Sequence, residues 1–292
     1  MPQQPDDRFI KLSTEDNPLT SVLPWSSKPP RERAIERFSI SGNAIVTGGA
    51  GDLGLEAARA MLEHGAQGLC LFDIATRFEA SRSAIQGLRN EFPSSKITEE
   101  IVDVTKEDEV DRAVDRVAQQ LGGVHVLLCF AGIARGGKAV EMSVDTWKNV
   151  QDTNTMGSWL CARSVARHMI GQKSGGSVVF AASIAAHKVL FPLPQTAYGV
   201  SKAGLISLTQ SLAAEWAQHG IRVNSISPGF MDTVMTKGEG PMVGRKVWEE
   251  RNPMGRMGSP TEVMGPVVML CSPAGRYITG VDLLIDGGGH VF

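Results

Sequence analysis

The 292-residue sequence contains no apolar run that approaches the ~20 residues of a transmembrane helix. Its charges nearly cancel, since 29 Lys and Arg against 31 Asp and Glu leave a net charge of −2, so no basic excess favours nucleic acid. The opening stretch, MPQQPDDRFIKLSTED, has no basic segment followed by an apolar core, which argues against a secretory signal. We therefore expect a cytoplasmic protein that contacts neither a membrane nor nucleic acid.

Disulfide and metal patterns are also missing. The cysteines Cys70, Cys129, Cys161 and Cys271 are far apart and form no C-x-x-C pair. The six histidines show no metal-ligand spacing, and no H-E-x-x-H occurs. We expect buried, reduced thiols and no metal ion.

The first 38 residues differ in composition from the rest of the chain. They are rich in Pro and Ser and end in a charged stretch, RERAIER. We interpret residues 1–38 as a partly irregular extension that packs on the domain through Leu23 and Trp25. Residues 39–292 then form a single domain, because no linker interrupts them.

Within that domain, apolar runs alternate with helical patterns. NAIVTGG, GLCLFD, KITEEIVDVT, VHVLLCFAG, SVVFAAS, IRVNSISPG and GVDLLIDGG read as strands, and segments such as EDEVDRAVDRVAQQLG read as amphipathic helices. Several strands are continuously apolar, which is typical of a parallel sheet covered on both faces. The fold class predicted is α/β: a doubly wound parallel sheet of about seven strands, a single-domain Rossmann fold.

The first strand-to-helix turn carries a glycine cluster. Gly48, Gly51 and Gly54 are spaced three apart in TGGAGDLG, at residues 47–54. Such a loop lets a backbone approach a pyrophosphate at a helix N-terminus, although a glycine cluster alone also fits a tight turn. Asp73 ends the second strand, where a carboxylate binds the adenosine ribose and repels a 2′-phosphate. We predict NAD, with NADP left open because Arg77 follows; the alternative role for Asp73 is a helix N-cap.

A second pair lies at the start of a helix, in AYGVSKAG. Tyr198 and Lys202 are four residues apart and share one helix face. A nearby ammonium lowers the pKa of a phenol, so the pair suits proton transfer between an alcohol and a carbonyl. Alone, Y-x-x-x-K also fits a solvated helix face. Together with the glycine loop, Asp73 and the order of elements, it makes residues 39–290 resemble the classical short-chain dehydrogenase/reductase family.

The resemblance implies four catalytic residues. Tyr198 would be the general acid and base, and Lys202 would bind the nicotinamide ribose and lower the pKa of the tyrosine. Ser183, in FAASIAA, would bond the substrate oxygen. Asn154, in DTNTMG, would hold the backbone and the water of a proton relay to Lys202.

The resemblance also implies the cofactor contacts and an assembly. Asp103 and Val104 would contact the adenine, and Thr233 the nicotinamide carboxamide. The full set is Gly48, Leu53, Gly54, Asp73, Ile74, Asp103, Val104, Ala131, Gly132, Tyr198, Lys202, Pro228, Gly229, Met231 and Thr233. The family forms homodimers and homotetramers, so we expect one of these.

The sequence departs from the family at two places. Cys129 and Phe130 stand where the family has two asparagines, which we interpret as altered packing and not lost binding. Asp52 stands at the middle glycine of T-G-x-x-x-G-x-G. A carboxylate about 4 Å from a phosphate repels it by roughly 4 kcal/mol at a dielectric near 20. Our hypothesis is that Asp52 caps the helix and faces away, which leaves the N–H of Leu53 for the pyrophosphate.

The stretch from Ser183 to Tyr198, SIAAHKVLFPLPQTAY, resembles the polyol and ketose branch: mannitol dehydrogenases, sorbose reductases and arabinitol dehydrogenases. The resemblance implies interconversion of a sugar alcohol and a ketose. Two alternatives stay open, a carbonyl reductase for a hydrophobic ketone and a catalytically silent cofactor-binding or scaffold subunit. The first is favoured by apolar residues expected at the pocket: Val189, Leu190, Phe191, Leu193, Phe230, Met231, Met235 and Met242.

Overall fold

The structure is a computed structural model that describes residues 9–22, 26–233 and 239–291, with only the backbone over residues 239–243. Its helices are α1 (Pro30–Arg37), α2 (Asp52–Glu63), α3 (Ala75–Glu91), α4 (Glu107–Leu121), α5 (Val144–Gln151), α6 (Gly157–Gln172), α7 (Thr196–Trp216), α8 (Glu239–Glu250) and α9 (Met264–Cys271). Its strands are β1 (Asn43–Thr47), β2 (Gly68–Asp73), β3 (Lys96–Ile101), β4 (Val126–Cys129), β5 (Gly176–Ala181), β6 (Ile221–Pro228) and β7 (Asp282–Ile285).

The seven strands form one parallel sheet in the order β3-β2-β1-β4-β5-β6-β7. The predicted fold class is confirmed. The order reverses direction between β1 and β4, where Thr47 pairs with Cys129, and this reversal opens a crevice at the carboxyl ends of the strands.

The sheet is covered on both faces, as its continuously apolar strands predict. Along β1, Ile45 packs with α4, α6 and α7, whereas Ala44 and Val46 pack with α2, α3 and α9. Successive side chains of a strand point to opposite faces, so a strand between two helical layers needs apolar residues at every position.

The N-terminal extension lies against the domain at the amino ends of the strands. Asn17 Nδ2 donates to Gln218 O at 2.8 Å, and Arg276 Nη2 donates to Ser21 O at 2.8 Å. Leu23 and Trp25, the predicted anchors, lie outside the described residues. The division of the chain between residues 38 and 39 stays a prediction.

Membrane spans and metal sites were both expected to be absent. Within the residues that the structure describes, no helix combines the length and the apolar character that spanning a membrane requires. In the same residues, no group of three or more His, Cys, Asp or Glu side chains is placed to hold a metal ion.

Candidate active site

Asn154 reaches the crevice from a single π turn, Asp152–Met156, which joins α5 to α6. The side chain is fully buried and forms two hydrogen bonds with the loop after β4. Its Oδ1 accepts from Ile133 N at 2.8 Å, and its Nδ2 donates to Ile133 O at 3.0 Å. Nδ2 also donates to Ser201 Oγ at 2.9 Å. Asn154 therefore joins the β4 loop to α7, the helix that carries Tyr198 and Lys202.

Tyr198 and Ser183 come together in this crevice. Ser183 follows β5 in extended backbone, and its Oγ accepts from Ala185 N at 3.1 Å. Burial raises the pKa of Tyr198, and the hydrogen bond with Ser183 acts in the opposite direction. The lowered pKa that the sequence predicts from Lys202 is therefore wrong for the protein alone, because desolvation of the phenol is the larger effect.

Lys202 is buried beside Tyr198. Its Nζ donates to Ala181 O at 2.6 Å and lies 5.6 Å from the centroid of the Tyr198 ring. Burial lowers the pKa of Lys202 to about 8. Gly132 passes close by, since a Cβ there would lie 3.2 Å from Asn154 Oδ1 and 3.5 Å from Lys202 Nζ. The fold thus brings together the four residues proposed for catalysis.

The loop between β1 and α2 leaves no room for a side chain at Gly48, Gly49 or Gly54. Gly48 has φ +64°, and a Cβ there would lie 2.7 Å from Ala131 N. A Cβ on Gly54 would overlap the carbonyl oxygen of Gly48, so α2 packs directly on the loop. The result is a backbone cradle at a helix N-terminus, which fits a pyrophosphate. Leu53 lies in the first turn of α2, where backbone N–H groups lack helical acceptors.

The hypothesis that Asp52 caps this helix is wrong. The N-cap position is Gly51, and Asp52 is the first helical residue, where an acid is favoured by the helix dipole. Asp52 lines a cleft of about 370 Å³ together with Leu55, Glu56 and Arg59 of the same helix face. The capping position fell one residue earlier because Gly51 takes the extended backbone that ends the loop. An outward direction of the carboxylate stays a prediction.

Asp73 lies at the carboxyl end of β2 beside the glycine loop. One carboxylate oxygen accepts from Ala50 N at 3.0 Å and the other from Ile74 N at 2.9 Å. Burial raises its pKa, while these two bonds and the charge of Arg77 act in the opposite direction. The N-cap of α3 is Ile74, so the alternative role of Asp73 as an N-cap is not what the structure shows. Its carboxylate ties the strand to the loop.

The residues expected around the adenosine follow β3 and β4. Asp103 Oδ1 accepts from Thr105 N at 3.0 Å and from Thr105 Oγ1 at 2.8 Å, which fixes the turn after β3. Val104 is buried against α6, since a Cβ on Gly157 would lie 2.8 Å from Val104 Cγ2. Ala131 N donates to Thr47 Oγ1 at 3.2 Å.

The residues that replace the family's asparagines face the core. Cys129 is buried, with Sγ 3.8 Å from Ser158 O, and Phe130 packs against the α2, α3 and α9 side of the sheet. This arrangement supports altered packing at that position. Burial raises the pKa of all four thiols; three are buried and Cys271 is partly buried.

The segment after β6 is anchored more tightly than the sequence suggests. Pro228 ends the strand, and Gly229 N donates to Ile285 O at 2.9 Å. Met231 is buried and pairs with Gly258, and its contact with the nicotinamide stays a prediction. Thr233 is buried at the end of the segment. Met235 and the side chain of Met242 lie outside the described residues.

A set of contacts that sequence reasoning missed holds the loop after Ser183. Trp248 stacks on Phe230 with ring centroids 4.0 Å apart and donates Nε1–H to Phe191 O at 3.0 Å. His187 Nε2 lies 2.8 Å from Asp282 Oδ2. These partners are distant in the chain, so no local pattern could reveal them. Val189 and Phe191 nonetheless stay 82% and 53% exposed.

Comparison with known proteins identifies the family. A family profile described as "Enoyl-(Acyl carrier protein) reductase" matches residues 48–290. The chain is 35% identical to an "NADP-dependent mannitol dehydrogenase" of Hypocrea jecorina over 267 residues, 89% of this chain and 97% of the relative. The chain belongs to the short-chain dehydrogenase/reductase family. It is thus an NAD(P)-dependent oxidoreductase that acts on CH–OH groups.

Two further known proteins are similar to the chain. A "D-arabinitol 2-dehydrogenase [ribulose-forming]" of Candida tropicalis is 32% identical over 88% of this chain and 95% of the relative. The solved structure of an "NADPH-Dependent 3-Quinuclidinone Reductase" from Rhodotorula rubra matches with a TM-score of 0.82 at 31% identity, covering 93% of this chain and 100% of that chain.

Proposed function

We propose that this short-chain dehydrogenase/reductase interconverts a sugar alcohol and a ketose, with NAD as its preferred cofactor. The observation that carries the reaction type is the convergence of Ser183, Tyr198 and Lys202, with Asn154 behind them. The substrate class is supported by the mannitol and arabinitol dehydrogenases among its relatives.

The residues present fit a dinucleotide. Gly48, Gly54 and the first turn of α2 would hold the pyrophosphate, and Asp73 the adenosine ribose. When bound, the nicotinamide exchanges a hydride with the substrate carbon. We propose NAD because the Asp73 carboxylate would repel a 2′-phosphate, although the relative from Hypocrea jecorina is named NADP-dependent.

The protein's own groups would move the proton. In ketone reduction, Tyr198 donates its phenol proton to the carbonyl oxygen, which accepts a second hydrogen bond from Ser183. The raised pKa of Tyr198 keeps the phenol protonated for that step. In alcohol oxidation the tyrosinate takes the hydroxyl proton. The ammonium of Lys202, which lies over the face of the Tyr198 ring, stabilises that anion. Asn154 acts as a positioning residue, because its bonds hold the β4 loop and α7.

One unpartnered group near Tyr198 favours a hydroxyl-rich substrate. Gln195 precedes Tyr198 by three residues at the N-cap of α7, and its buried Oε1 accepts no hydrogen bond within the described part of the chain. A buried acceptor without a donor is costly, so a substrate hydroxyl would gain by pairing with it. Gly136 lies alongside, since a Cβ there would be 3.7 Å from Gln195 Nε2.

The competing substrate class is a hydrophobic ketone. Its support is the exposure of Val189 and Phe191 on the loop between Ser183 and Tyr198, together with the quinuclidinone reductase among the structural neighbours. Such a substrate would bury these side chains and leave Gln195 without a partner.

A substrate panel separates the two classes. Initial rates are measured with NAD⁺ on mannitol, arabinitol and galactitol, and on apolar secondary alcohols of similar size. We expect the highest kcat/KM for a sugar alcohol. Gln195→Leu keeps the volume and removes the acceptor, so it should reduce kcat/KM for that substrate by about tenfold or more without affecting apolar alcohols. Highest kcat/KM for apolar alcohols, unchanged in Gln195→Leu, would contradict the proposal.

We also propose a homodimer or homotetramer that covers one face of α5, α6 and α7. Trp147, Trp159 and Val200 on these helices, and Met156 in the π turn between α5 and α6, are each between 37% and 48% exposed. Light scattering of wild type and Trp159→Glu tests this: we expect an oligomer that the charged variant weakens, and a monomeric wild type would refute it.

A further inference from the structure

A second cavity lies at the amino ends of the strands, whereas the proposed active site lies at their carboxyl ends. Its volume is about 590 Å³, within the range of small-molecule sites. Val126, Gly176 and Ile221, the first residues of β4, β5 and β6, line one wall. Leu19 and Thr20 of the N-terminal extension line another. Ser183 and Tyr198 follow the carboxyl ends of the strands, so the two sites are separated by the sheet.

Two arginines, Arg222 and Arg276, line this cavity. Arg222 Nη1 donates to Ile278 O at 3.2 Å and Arg276 Nη2 donates to Ser21 O at 2.8 Å. Neither forms an ion pair with any residue that the structure describes, and no Asp or Glu is among the residues that line the cavity. Burial and the neighbouring Arg276 both lower the pKa of Arg222.

Arg222 is partly buried in this cavity, whereas Arg276 is exposed. Taking a guanidinium partly out of water is costly unless an anion compensates it, so a bound anion would stabilise Arg222 in particular. Each guanidinium has five N–H donors in a planar fork, so one bond to a carbonyl leaves most of them available. The fork matches carboxylate and phosphate oxygens.

Three serines that line the cavity offer acceptors. Ser39 Oγ donates to Glu36 O, Ser177 Oγ to Leu270 O and Ser272 Oγ to Met269 O, at 2.8, 3.0 and 3.3 Å. Because these hydroxyl hydrogens are already used, the oxygens present lone pairs, which suit hydroxyl groups of a ligand. The lining therefore combines cationic donors with neutral acceptors.

We propose that this cavity binds a small oxyanion that carries hydroxyl groups, a sugar phosphate or a sugar acid, through Arg222 and Arg276. The site is independent of the proposed reaction, because it shares no residue with the catalytic group. The N-terminal extension forms part of it, which gives residues 19–21 a role in binding.

Thermal unfolding of the full-length protein tests the proposal. Saturating NADH is included so that phosphate cannot act through the glycine loop. The probes are inorganic phosphate, glucose 6-phosphate and gluconate, with glucose and chloride at equal ionic strength as controls. A ligand at 100 times its Kd should raise Tm by about 5 °C for a chain of this size. A response to phosphates alone identifies a phosphate site, and a response to gluconate alone identifies a carboxylate site.

Three variants assign any response to this cavity. Arg276→Gln should weaken binding about tenfold or more, since a charge-assisted pair is lost. Arg222→Lys keeps the charge and removes the fork, so it should weaken binding while the protein still folds. Arg112→Gln, at a site with 64% side-chain exposure on α4, should change nothing. No Tm rise with any anion, or an equal rise in Arg276→Gln, overturns the proposal.

Discussion

Replacement of Asp73 by asparagine should admit NADPH. Two backbone N–H groups fix the Asp73 carboxylate beside the glycine loop, at 3.0 and 2.9 Å from Ala50 N and Ile74 N. Two unit charges about 4 Å apart repel by roughly 4 kcal/mol at a dielectric near 20, which corresponds to about a thousandfold in Kd. Salt screens part of this, so we expect a gain of at least about tenfold at physiological ionic strength.

The assay is a titration of each protein with NADH and NADPH, followed by nicotinamide fluorescence. Wild type should bind NADH more tightly than it binds NADPH. Asp73→Asn should bind NADPH more tightly than wild type does, and NADH more weakly, because the amide has one acceptor oxygen in place of two. Asp115→Asn, which removes the same charge from a side chain that is 70% exposed on α4, is the control.

Two results would refute this reasoning. Equal binding of NADH and NADPH by wild type would show that the carboxylate does not exclude the 2′-phosphate. An NADPH affinity that is the same in Asp73→Asn and wild type would show that the charge of Asp73 does not repel the 2′-phosphate.

Three other predictions concern the loop and the buried residues. Asn154→Ala should lower the free energy of unfolding by about 3 kcal/mol in denaturant titrations, because both polar groups of Ile133 lose their partners. Folding lowers the pKa of Lys202 from 10.5 to about 8, so between these pH values the Lys202 amine is protonated in the unfolded chain and neutral in the folded protein. The free energy of unfolding of wild type, relative to Lys202→Met, should thus rise by about 3 kcal/mol between those pH values. Asp52→Gly should change the cofactor Kd by less than about threefold in fluorescence titrations, since we expect an outward carboxylate to cost little; a hundredfold gain would reverse that interpretation.

The sequence predicts the architecture well because each strand of the sheet can be recognised from its own short apolar segment. All seven strand segments became strands, and their continuous apolar character follows from burial between two helical layers. The need for glycine at residue 54 was also predictable, since its contacts are with Gly48 and Gly49, whereas the close approach of Ala131 to Gly48 comes from the tertiary structure.

The predictions that failed concern properties that depend on contacts between distant segments of the chain. The pKa of Tyr198 was expected to fall, and it rises because the fold removes the phenol from water. The pairing of Met231 with Gly258 was also not predicted, because these residues meet only in the tertiary structure. Asp52 shows a finer error: it does begin the helix, but one position after the cap. Spacing along the chain identified residue types for catalysis without giving their electrostatic surroundings.

The catalytic role of Tyr198 is tested most simply by single-turnover hydride transfer from NADH to a ketose, compared between wild type and Tyr198→Phe. The rate in the variant should fall by at least about a hundredfold, as expected for a lost general acid, while its Kd for NADH stays nearly unchanged. A rate in Tyr198→Phe equal to that of wild type would contradict the catalytic role of Tyr198. Absence of hydride transfer in wild type, despite NADH binding, would favour a scaffold subunit instead.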